Sequence, residues 1–160
     1  MNIKFRLLGT GSSMGVPRTD GFFGNCDPKI KKNYRTRCSA LISFDKSNIL
    51  IDTSPDLRQQ LLHAKTKTIN GVLYSHYHAD QTHGINDLRI FSLKSGIKIP
   101  VYCDEMTSRY LKNNFSYCFK KNNDYYPFLK LYKLKKKFKI RTSKKFLKVL
   151  SIPVRHGSIN

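Results

Sequence analysis

The sequence predicts an α/β protein organised around a mixed sheet. Short apolar strand patterns alternate with stretches of helical spacing, which is the signature of strands covered by helices. A hairpin turn over 45–47 and a final meander are predicted, and a sheet containing such connections cannot be wholly parallel. Length adds a third constraint. The 160 residues make one domain, residues 1–160, long enough to bury roughly 68–70% of its unfolded surface.

Residues 3–8 alternate Ile3, Phe5 and Leu7 with Lys4 and Arg6, which is a strand period and not the long apolar stretch of a secretory leader. A glycine-rich turn, Gly9-Thr10-Gly11-Ser12-Ser13, follows, and then a polar loop punctuated by Gly15, Pro17, Gly21, Gly24 and Pro28. Strands are predicted over 38–44 and 48–51, with Asp45-Lys46-Ser47 as the turn between them. Ser54-Pro55-Asp56 then opens a helix, Ser54 as N-cap, Pro55 at the first helical position and Asp56 toward the dipole. Residues 71–75 are a short buried strand, 85–93 a helix, 97–102 a strand and 104–111 a further helix. Beyond Asn113 the pattern weakens, and 128–132, 138–140 and 146–152 read as strands of a basic meander.

The composition narrows the class. Hydrophobic residues make up 39% and aromatics 12%, which argues against wholesale disorder. No window approaches ~18 consecutive apolar residues, so no transmembrane helix and a cytoplasmic location are expected. The four cysteines, Cys26, Cys38, Cys103 and Cys118, lack close pairing and are expected as free thiols. A net charge of +20 suits a polyanionic partner, and the run from Lys130 to Lys148 contains no acid. That run reads either as a phosphate-attracting surface or as lysine enrichment from an AT-rich genome spread over solvated faces.

The chemistry concentrates at Ser75-His76-Tyr77-His78-Ala79-Asp80. Alternate residues of an extended segment point the same way, so His76 and His78 form a pincer whose neutral nitrogens suit zinc, iron or manganese. Asp80 adds an oxygen ligand. The alternative is a set of ordinary surface histidines. Against it, His76, His78 and His83, three of the chain's five histidines, fall within eight positions at the end of an apolar strand.

His76-Tyr77-His78-Ala79-Asp80 resembles the HxHxD signature of the metallo-β-lactamase superfamily. Gly9-Thr10-Gly11-Ser12-Ser13, Arg35-Thr36-Arg37-Cys38-Ser39, Ile51-Asp52-Thr53-Ser54-Pro55-Asp56-Leu57-Arg58 and His83-Gly84-Ile85-Asn86-Asp87-Leu88-Arg89 resemble the branch of the cyclic-phosphate phosphodiesterase of phosphonate breakdown, itself related to tRNA 3′-processing endonucleases. The resemblance is firm to about Asp104 and looser to Val154-Arg155-His156-Gly157. It implies an αββα sandwich, of which this chain holds the N-terminal part only. It makes His76, His78 and His156 the imidazoles of one metal site and assigns Asp80 to a second metal. Asp52 would accept a hydrogen bond that orients a ligand. Gly11, Ser12 and Ser13 would contact substrate phosphate, although a tight turn explains the glycine equally well.

Two departures limit what the resemblance implies. The family places a histidine after the aspartate where this chain has Gln81, with His83 as a possible substitute. Relatives also continue past the third histidine motif and supply a further aspartate and histidine. Cys26 and Cys38 alone do not make a closed structural zinc site.

The expected function is a hydrolase dependent on zinc or manganese, acting on phosphodiesters such as a cyclic phosphate through a water activated by the metal, with Asp80 orienting that water or acting as its base. Its substrate would be a phosphorylated small molecule or a nucleic acid. Alternatives are a tRNA-processing type of nuclease, or a catalytically incomplete chain whose basic face binds RNA or DNA. A half-sandwich is also expected to expose apolar sheet surface, favouring self-association or a second polypeptide that supplies the missing half.

Overall fold

The structure is a computed structural model that describes residues 2–122 and 125–156. A six-stranded sheet runs in the order β1 (Lys4–Gly9), β2 (Ser39–Phe44), β3 (Ser47–Ile51), β4 (Gly71–Leu73), β5 (Ile99–Cys103) and β6 (Leu129–Lys133). β1, β2 and β3 are antiparallel neighbours, and β3 through β6 are parallel, so the sheet is mixed as the sequence implies. β6 is a correction. Residues 128–132 do not begin a meander but close the main sheet beside β5. Only β7 (Lys137–Arg141) and β8 (Phe146–Leu150) form the antiparallel hairpin expected of the basic tail.

The turn between β2 and β3 is two residues long. Asp45 and Lys46 both have positive φ (49° and 60°), the conformation that matches the twist of a two-residue hairpin. Parallel strands need crossovers. α1 (Leu57–His63) links β3 to β4, α2 (Ala79–Thr82) and α3 (Arg89–Ser95) lie between β4 and β5, and α4 (Glu105–Asn114) precedes β6. The single helix expected over 85–93 is split. Ile85–Leu88 forms a 3-10 turn, and α3 then ends on Gly96 in the left-handed conformation (φ 66°). α1 begins later than Ser54. The Ser54 hydroxyl accepts from the Asp56 N–H (3.1 Å), and the Asp56 carboxylate is taken by Arg37 and does not cap the helix.

Successive residues of a strand face opposite ways, and β3 shows it: Ile49 and Leu50 are both fully buried, on different faces. Leu50 joins Leu41, Val72 and Val101 beneath Leu57, Leu61, Ile85, Leu88 and Leu111 from the helical side. Ile49 and Phe44 meet Ile140 and Leu147 of the β7–β8 hairpin, flanked by Leu73, Tyr102 and Phe138. The hairpin covers only part of its face. Phe5 pairs with Ile42 and Leu7 with Ala40, which places both on the hairpin side, yet they are 60% and 63% exposed. The expected uncovered sheet surface is present along β1. Among the described residues no helix is long and apolar enough to cross a membrane.

Candidate metal centre

The site lies beyond the carboxyl end of β4, where parallel strands of an α/β sheet open into a crevice. β4 ends at Leu73, so His76 and His78 project from the loop between β4 and α2 and not from an extended strand. The loop still brings them together. His76 Nε2 lies 3.0 Å from His78 Nδ1. His156, from the segment after β8, completes the group, with ring centroids 4.9 Å from His76 and 5.3 Å from His78. One nitrogen from each ring lies within 4.8 Å of the other two. Three imidazoles converging from two distant stretches of chain fit one divalent cation with an open coordination position. Burial, and then the neighbouring His78 and His156, push the His76 imidazole below its ordinary value, which favours the neutral ring that ligates.

Asp52 holds this loop from beneath. It is buried, and its φ of 59° is left-handed, a conformation costly for most side chains but tolerated by aspartate. The Ser75 N–H donates to Asp52 Oδ1 and the Ser75 hydroxyl to Oδ2, both at 2.7 Å. Ser75 Oγ is in turn 3.0 Å from His76 Nδ1. With its proton committed to Asp52, the hydroxyl accepts from Nδ1–H, which leaves the Nε2 lone pair of His76 facing the other imidazoles. The orienting role expected of Asp52 therefore runs through Ser75, a residue of the His segment to which the sequence assigned no role. Burial raises the Asp52 carboxyl to about 7, against the opposing pull of the two Ser75 hydrogen bonds.

Asp80 sits in the first turn of α2. Its charge acts on His76, Asp52, Cys38 and Arg37, so it borders the same face, but its carboxylate is outside the group of three close nitrogens. Gln81, which stands where the family has a histidine, is 7% exposed with Oε1 buried and lacking a hydrogen-bond partner. His83 points elsewhere, 3.1 Å from Thr82 Oγ1 and edge-on to Phe115.

The glycine-rich turn also differs from expectation. The Gly11 N–H donates to Thr36 O (2.7 Å), and a Cβ at Gly11 would lie 2.6 Å from Arg35 O. Close backbone approach requires this glycine, and its N–H is not free for phosphate. Ser12 is exposed and bonds within its own turn to Gly15 O, and Ser13 is exposed beside it. Arg37 clamps the loop to α1 through a two-point ion pair with Asp56 (2.9 and 2.7 Å). The cysteines are free thiols, Cys38 donating to Gly11 O.

Residues 47–160 match the family model of the beta-lactamase superfamily domain, and the chain belongs to that family. Among solved structures, a new diphosphatase from the PhnP family is 31% identical with a TM-score of 0.73, over 89% of this chain and 54% of that one. Zn(2+)-bound PqqB from Methylobacterium extorquens shares the fold at 19% identity and a TM-score of 0.62, over 84% of this chain and 50% of that one. The fold is thus part of the metallo-β-lactamase fold, and the chain spans about half the length of these structures. An octanoyltransferase of Porphyromonas gingivalis is 37% identical over 129 residues, which is 80% of this chain but 25% of that protein.

Proposed function

We propose that this chain is a metal-dependent phosphoester hydrolase whose cation is held by His76, His78 and His156. The observation that carries the reading is the convergence of three ring nitrogens within 4.8 Å from loops eighty residues apart in sequence. The likeness to a PhnP-family diphosphatase supports phosphorus as the centre attacked. The octanoyltransferase's name belongs to a chain four times the matched length, and it draws no residue of this site into acyl transfer.

His76, His78 and His156 would hold a divalent cation, which would supply Lewis-acid activation of a water and of a phosphoryl oxygen. The chain's own residues set the geometry. In this reading Asp52 and Ser75 fix the His76 ring, and Asp80 orients or deprotonates the attacking water. The donor set suits zinc, manganese or iron. Substrates in this reading are phosphodiesters, cyclic phosphates included, or diphosphates.

Metal analysis of the purified full chain should return about one equivalent of zinc or manganese. Replacing both His76 and His78 by alanine should abolish binding and, with it, hydrolysis of a phosphodiester reporter. Unchanged metal content in that double variant would sink the proposal.

A further inference from the structure

The basic run in the last third of the sequence plays no part in the metal centre, yet the structure gives it a definite form. β7 and β8 pair with Lys137 opposite Leu150, Lys139 opposite Lys148 and Arg141 opposite Phe146. The intervening residues Phe138, Ile140, Leu147 and Val149 face the main sheet. Alternation therefore sends Lys137, Lys139, Arg141, Phe146, Lys148 and Leu150 outward, and all six are exposed. We infer that this outer face of the hairpin binds single-stranded nucleic acid.

Three features support that occupant. First, the face carries four cations and no acid, and the ion pairs formed among the described residues, at Arg18, Arg37 and Arg109, all lie elsewhere. Second, Lys139 and Lys148 stand directly opposite each other. Like charges in that position destabilise a strand pair, and a phosphate between them would remove the cost. Third, Phe146 (58% exposed) and Leu150 (55% exposed) lie among the cations, offering an unstacked base an aromatic and an apolar surface. Along β7 the cations recur every ~6.8 Å, an extended row suited to a flexible backbone of phosphates. Asp45, which meets the hairpin at its tip, accepts from the Lys144 N–H (2.6 Å) and the Thr142 hydroxyl (3.0 Å). A second copy of this chain is a poor occupant, because each carries a net charge of +20.

The test is fluorescence anisotropy of a labelled oligothymidylate with the full chain across a potassium chloride titration. Binding should weaken with log salt at a slope of about −3, as expected for four phosphates on a single strand. Reversing Lys137, Lys139, Arg141 and Lys148 to glutamate should lower affinity about a hundredfold. Reversing four exposed lysines elsewhere (Lys4, Lys29, Lys31 and Lys32) holds net charge equal and should change it less than about threefold. Phe146→Ala should cost about tenfold. Lys139→Gln separates binding from folding. It should weaken binding about threefold while slightly raising thermal stability, because it removes a like-charge pair. The inference is overturned if the remote reversals weaken binding as much as the hairpin reversals. It is overturned equally if polyglutamate or a duplex of the same sequence binds as tightly as the single strand. None of these readouts involves the metal, so failure here leaves the hydrolase proposal standing.

Discussion

On the helical side of the sheet, Leu50 and Val72 lie fully buried under side chains from α1, α4 and the 3-10 turn at Ile85. On the opposite side Ile49 is equally buried, but its neighbours in the same cross-strand row thin out until Phe5 is 60% exposed. One face is a continuous core. The other is a small cluster of Phe44, Ile49, Ile140 and Leu147 roofed by a single two-stranded hairpin. The contrast separates what holds the chain together from what it presents. The candidate metal centre lies where the two regions meet, since His76 and His78 belong to the helix-covered body and His156 to the segment leaving the hairpin.

The largest effect is expected at Leu50. Leu50→Ala should cost about 3–4 kcal/mol in urea unfolding, because the closed helical face cannot collapse onto the cavity. Ile140→Ala should cost less, about 2 kcal/mol, because a hairpin with exposed edges can settle. In the same variant, hydrogen exchange should quicken across β7 and β8 and stay slow across β2 to β5. Equal protection loss in both regions would mean that the faces are not separable. At the junction, Ser75→Ala should weaken metal binding about tenfold with little change in stability, and Ser75→Thr should restore it. If Ser75→Ala leaves the metal dissociation constant unchanged, the Asp52–Ser75–His76 chain of hydrogen bonds does not tune the site.

Two smaller effects sharpen the picture. The Arg37 guanidinium holds the Asp56 carboxyl below its usual range. A depressed folded-state value stabilises above the ordinary aspartate range, near 3.9, and that benefit is lost as pH falls through the folded value. The stability gap between wild type and Asp56→Asn should therefore be constant at neutral pH and close in acid; a gap that widens in acid would reverse the assignment. Smallest of all, Phe5→Ser should change stability by under about 0.5 kcal/mol while reducing self-association in sedimentation.

Much of this was readable locally. Strand patterns located β1, β2 and β3, and a turn at Asp45-Lys46-Ser47 followed from turn chemistry between two apolar runs, one residue longer than the observed turn because Ser47 pairs with Phe44 at the start of β3. The His76–His78 pincer was evident from spacing, and His156 from its likeness to a family motif. What was hidden depends on pairings across long stretches of chain. Arg37 and Asp56 are nineteen residues apart, and their ion pair takes the carboxylate that the sequence assigned to the helix start. β6 carries the same basic, apolar-alternating pattern as the hairpin, and only its seat beside β5 separates it from them. Gly11 is fixed by the backbone of Arg35 and Thr36, which the motif alone cannot distinguish from a phosphate cradle. Ser75 is an ordinary serine until the left-handed turn at Asp52 brings a carboxylate under it.

The turn at Asp45 has a consequence for order in time. Its carboxylate receives Thr142 and Lys144, 97 and 99 residues later in the chain, and the hairpin's apolar underside rests on Phe44 and Ile49 beside it. Emerging from a ribosome, the chain delivers all six strands of the main sheet before the first residue of β7. Until then Phe44 and Ile49 lack Ile140 and Leu147, and the growing chain carries an apolar face that the hairpin covers later. A released chain ending between Lys133 and Lys137 would therefore carry the six strands β1 to β6 with Phe44 and Ile49 uncovered, a surface that invites aggregation.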